Sequence, residues 1–119
     1  MSMQKIGEYA FLVGAIIAIV AGLASGAIAG STAGAISALL VVLGIIVGLL
    51  NISEKETTPF LVAAIALVVS GTAGFAAINS IVPTVGTIVD SIVQNLAIFV
   101  APAAVIVALK AVYALASSR

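Results

Sequence analysis

The residues best suited to chemistry stand together in the stretch "DSIVQN" at 90–95. Asp90 and Gln94 are four apart, as are Ser91 and Asn95, so a helix gathers them into one polar stripe. A carboxylate flanked by amides and a hydroxyl concentrates cations. Continued along the helix, the same line reads Gln94, Ala97, Ala101, Ala104 and Ala108. A polar mouth of Asp90, Gln94 and Asn95 above a groove of small side chains is one way to line a pore. The plainer reading is a helix end among lipid headgroups, with Asp90 near the positive end of the helix dipole and the alanines as packing surface.

Little else carries chemistry. The other acids are Glu8, Glu54 and Glu56, and none has a nucleophile–base pair near it in sequence. There is no His and no Cys, which removes the commonest general base, the commonest transition-metal ligands and any disulfide. The expectation is a chain that is not an enzyme, with no metal and no cofactor. Four bases balanced by four acids form no basic patch, so nucleic acid is not an expected partner.

Two further patterns bear on packing. Ala10, Gly14, Ala18, Gly22, Gly26, Gly30 and Gly34 fall four apart; Gly44 and Gly48 repeat the spacing, and so do Ala66, Ser70 and Gly74. Small residues at this interval let helix backbones approach closely in lipid. The ladder drifts by about 40° per step round a helix, so it cannot all serve one partner. Pro102 interrupts the last apolar run; it removes a backbone hydrogen bond and crowds the carbonyl of Ile98, which predicts a kink.

The elements that must position these residues follow from composition. The 119-residue chain is 64% hydrophobic and 7% charged, against about 25% charged in a soluble domain. The solvent implied is lipid. Lys5, the apolar run behind it and "AIAG" at 27–30 resemble a secretory leader, but the run is too long and Glu8 interrupts its flank. A membrane span is the expectation there.

Residues 9–53 carry no charge, which is room for two spans of about 20 residues each. The Gly-, Ser- and Thr-rich stretch at 24–35 divides them. Four helices are expected, roughly 6–26, 33–50, 59–78 and 88–116. The fold class is all-α: one integral membrane four-helix bundle over 1–119, with an order that permits two tandem hairpins. Residues 11–27, "FLVGAIIAIVAGLASGA", align without gaps on 60–76, "FLVAAIALVVSGTAGFA", as a duplicated hairpin would.

Four spans return the chain to its starting side. Lys5, Lys55, Lys110 and Arg119 then share one face, joined by Tyr9 and Tyr113, with Lys110 snorkelling outward from its helix. The positive-inside rule makes that face cytoplasmic, with both termini on it. "SEKE" at 53–56 is the polar turn between helices two and three.

A chain of this kind has the bilayer as its first partner and side-by-side packing as its main capacity. The expected function is structural or assembly-related, as a homo-oligomer or as a subunit of a larger membrane complex; a viral membrane shell and a pilus-like filament are variants. The alternative is a small channel or transporter subunit with its pore near helix four.

Overall fold

The computed structural model describes residues 3–24, 30–50, 52, 54–72 and 74–117. Four α-helices account for most of them: α1 Met3–Leu23, α2 Gly30–Leu50, α3 Thr57–Ser70 and α4 Val85–Ser117. Short 3-10 helices at Glu54–Glu56 and Phe75–Ser80 precede and follow α3. No strand occurs among the described residues. Helices α1, α2 and α4 are each long and apolar enough to cross a membrane, and the chain is an all-α membrane protein.

The long α4 is the axis of the fold and sets the longest dimension of the 53 × 30 × 20 Å molecule. Each of the other three α-helices packs on it. Gly14 and Gly22 of α1 lie against Phe99 and Ile92, so α1 runs antiparallel to α4. Gly44 and Gly48 of α2 lie against Phe99 and Ala103, so α2 runs parallel to it. Ala64 of α3 shares a crevice with Ala101 and Ala104, and Gly71 faces Gln94. The third helix is therefore antiparallel to α4 as well.

The interior is built from small side chains. Ala10, Ala18, Ala21, Ala64 and Ala103 are buried, together with Leu40, Val47, Phe99, Val100 and Val107. Large apolar side chains point outward on every helix, for example Ile16, Val42, Ile65 and Leu109. Small inside and large outside is the arrangement lipid favours, because close packing rather than escape from water holds the helices together. No polar or charged side chain is buried among the described residues.

The third helix departs from expectation. The sequence predicts one helix over 59–78, but α3 stops at Ser70 and the chain resumes as a 3-10 helix at Phe75. At about 21 Å, a 14-residue helix is shorter than the hydrocarbon core. Thr72 Oγ1 donates to the Val69 carbonyl at 2.7 Å, and the Thr72 amide donates to the same oxygen. That carbonyl is thereby lost to the next helical turn. Gly74 then takes φ 77°, a left-handed conformation that glycine adopts without a steric cost.

The turn into α4 has a side chain ill suited to its backbone. The Val85 amide donates to the Val82 carbonyl, with Pro83 second and Thr84 third in the turn, and Thr84 has φ 69°. Proline at the second position and positive φ at the third define a type II turn, whose third position suits glycine. A β-branched residue there is strained. Thr84 is exposed, so its side chain contributes little in return. Thr84→Gly is expected to raise stability by about 1 kcal/mol, read as a higher unfolding temperature in mild detergent. A lower one would show that the threonine side chain holds the turn.

Candidate functional site

The polar stripe of α4 opens into a recess of about 210 Å³. Asp90, Ser91, Gln94 and Asn95 form one wall, Ala21 of α1 a second, and Ala33, Ile36 and Ser37 of α2 the third. Small residues on α1 and α2 leave the space that the α4 side chains face. Asp90, Gln94 and Asn95 are thus brought together, as their spacing requires.

The recess lies at one end of the bundle. Twenty residues separate Asp90 from Lys110, about 30 Å along a helix, which is the thickness of a hydrocarbon core. The first turn of α4 extends beyond Asp90, and its cap is supplied from a distance. Asn79 Oδ1 accepts from the Thr87 amide at 3.2 Å, while Asn79 Nδ2 donates to Thr87 Oγ1 at 2.7 Å. This satisfies one of the amides that a helix start leaves unpaired.

The line Asp90–Gln94–Ala97–Ala101–Ala104–Ala108 does not face one space along its length. Its upper end meets the recess beside α1 and α2. Lower down, Ala101 and Ala104 face α3 across an apolar crevice of about 250 Å³ with Leu61, Ala64 and Val68. Gln94 links the two regions: its Nε2 donates to the Gly71 carbonyl at the end of α3. Pro102 lies within α4 and packs towards Gly44.

The small-residue ladder divides in the same way. Added Cβ atoms on Gly14, Gly22, Gly44 and Gly48 would meet α4, and Ala18 is fully buried. Gly30 and Gly34 face open space. Gly26 lies outside the described residues. On α3 it is Ala64 that is buried, while Ala66 is exposed, Ser70 is half-buried and Gly74 lies beyond the helix.

At the opposite end, Lys110 Nζ donates to the carbonyls of Gly48 at 2.9 Å and Leu49 at 3.1 Å. The sequence predicts an ammonium reaching outward; instead it turns sideways and caps the end of α2. Those carbonyls have no partner within their own helix and carry the negative end of its dipole. Lys110→Met should lower stability by about 1 kcal/mol, measured by detergent unfolding. An unchanged midpoint would mean that water serves those carbonyls equally well. Followed back from Gly14, the register of α1 brings Lys5 to the level of Lys110, and Lys55 precedes α3 at the same end.

Two features go beyond the sequence expectations, and only the first is legible in the sequence. Ser37 is the lone hydroxyl or amide side chain between 33 and 50, which singles it out in an otherwise apolar helix. The cap formed by Lys110 needed the α2–α4 register, which no spacing reveals. Among the described residues, no three His, Cys, Asp or Glu side chains gather as a metal site would need. Comparison with protein-family models, characterised proteins and solved structures finds no match.

Proposed function

We propose that this chain is a non-enzymatic structural or assembly protein of the membrane, packing side by side as a homo-oligomer or as a subunit of a larger membrane complex. The observation that carries this reading is the apolar crevice between α3 and α4. Half-buried Ala101 and Ala104 present small side chains there above the buried Ala64, beside the exposed Val62, Ile65 and Val69. In lipid, small residues flanked by larger ones are a surface on which another helix packs closely. Viral shell and filament variants of assembly share this requirement.

Cross-linking tests it. The chain has no Cys, so Val62→Cys and Ile65→Cys report on a clean background. Disulfide-linked oligomers in native membranes and a multimeric mass in mild detergent are expected. A monomer by both measures refutes the assembly.

The same reading includes four crossings with both termini in the cytoplasm, supported by Lys5, Lys55 and Lys110 at one end and the positive-inside rule. The short α3, its turn and the following 3-10 helix together form the third crossing. Cysteines at Ser53 and Ser118 should resist an impermeant external thiol reagent, and one at Thr84 should label. External labelling at Ser53 overturns this topology. The channel reading retains the Asp90 recess as its mouth, and cation flux in liposomes that falls with Asp90→Asn would favour it over assembly alone.

A further inference from the structure

We propose that the recess between α1, α2 and the head of α4 is a binding site for a primary ammonium group, and that its occupant is the headgroup of an ethanolamine lipid. Hydrogen-bond chemistry defines the ligand. Ionised Asp90 only accepts hydrogen bonds. Gln94 has committed its Nε2 to the Gly71 carbonyl, so what it has left to offer is chiefly its carbonyl oxygen. Among the described residues, the side chains of Asp90, Ser37, Ser91 and Asn95 make no hydrogen bond or ion pair. The recess therefore offers one negative charge and a surplus of acceptors to a cationic donor.

Size and position narrow the class. At about 210 Å³ the space holds several water molecules, much more than a bare metal ion fills. A single carboxylate leaves half of a calcium ion's charge unbalanced, and ligand charge sets the strength of such sites. Ala21, Ala33 and Ile36 supply apolar walls for methylene groups beside the charge. The described basic residues Lys5, Lys55 and Lys110 all stand at the far end of the bundle, so no side-chain cation there competes for Asp90. Asp90 lies about 30 Å from Lys110 along α4, at the plane where lipid headgroups begin. The proposal does not depend on the assembly proposed above.

Native mass spectrometry of delipidated protein tests it, with phosphatidylethanolamine, phosphatidylcholine and phosphatidylglycerol of matched chains. Retention is expected to fall in that order, because choline keeps the charge but has no N–H and glycerol has neither. Asp90→Asn should reduce ethanolamine-lipid retention about tenfold, the scale of one charge-assisted hydrogen bond. Ala33→Leu keeps the charge but fills the recess, and should have a similar effect even if Asp90→Asn fails to fold.

Equal retention of all three lipids, or a preference that survives Ala33→Leu, overturns the proposal. A separate arm adds free ethanolamine. Thermal stabilisation by the free amine that is lost in Ala33→Leu, without lipid retention, supports the ammonium site and makes its source soluble. No response to either ligand refutes the site.

Discussion

Gly44→Ala should destabilise the bundle by about 3 kcal/mol, while Gly34→Ala on the same helix should stabilise it by about 0.5–1 kcal/mol. Intrinsic propensity favours alanine at both positions, so packing alone sets the difference. A Cβ on Gly44 would collide with the Phe99 carbonyl oxygen and lie 3.1 Å from Pro102 Cγ. Both atoms belong to α4, and the first is backbone, so no rotamer change relieves the clash. In place of the Cβ, a Cα hydrogen points at the carbonyl, a weak contact that recurs where helices touch. A Cβ on Gly34 meets nothing within 4 Å. Gly48 is intermediate: its added Cβ would lie 3.0 Å from Ala103 Cα and 3.1 Å from Ile106 Cβ. Detergent unfolding followed by circular dichroism gives the order. Equal midpoints for the Gly44 and Gly34 variants would show that α2 does not seat on α4 at this register.

Gly34 and Gly44 also show where sequence reading stops. Both belong to a repeating pattern of small residues, and ten residues turn a helix so that they point about 80° apart. Which of them touches a neighbour depends on a partner helix far away in sequence. Helix existence was easier to read. The absence of charge over 9–53 and the break near 24–35 define α1 and α2, because lipid forbids unpaired backbone between water-facing ends.

The end of α3 has a counterpart in α1. The alignment of 11–27 on 60–76 places Leu23 over Thr72, and α1 ends at Leu23 while α3 ends at Ser70. The aligned Gly22 and Gly71 face Ile92 and Gln94 of α4, so the similar segments meet α4 at nearly one level. The polar stripe Asp90–Gln94–Asn95 follows from helical spacing, and these side chains line one recess. Its small apolar partners on α1 and α2 are not legible in that spacing, because Ala21 and Ala33 owe their place to smallness and to a tertiary register.

Phe99→Ala should cost about 2–4 kcal/mol and should reverse the effect of a substitution on another helix. Phe99 is among the largest fully buried side chains, and its ring occupies the notch left by Gly14. It packs edge-on to Phe11, with centroids 6.0 Å apart and planes at 70°, while its carbonyl touches α2 at Gly44. Three helices therefore converge on one residue. Truncation in a soluble core loses transfer energy and leaves a cavity, about 3–5 kcal/mol in all. In lipid the transfer contribution is weak, since the alternative environment is also apolar, and lost packing contacts dominate. Gly14→Ala forces its Cβ into the ring that Phe99→Ala removes. Alone, Gly14→Ala should destabilise by about 2 kcal/mol; in the Phe99→Ala background it should be neutral or stabilising, since it refills part of the void and gains helix propensity. A double-mutant cycle on detergent unfolding measures this coupling, expected at about 2 kcal/mol. Additive effects would separate the two residues and remove Phe99 as the point where α1 locks onto α4.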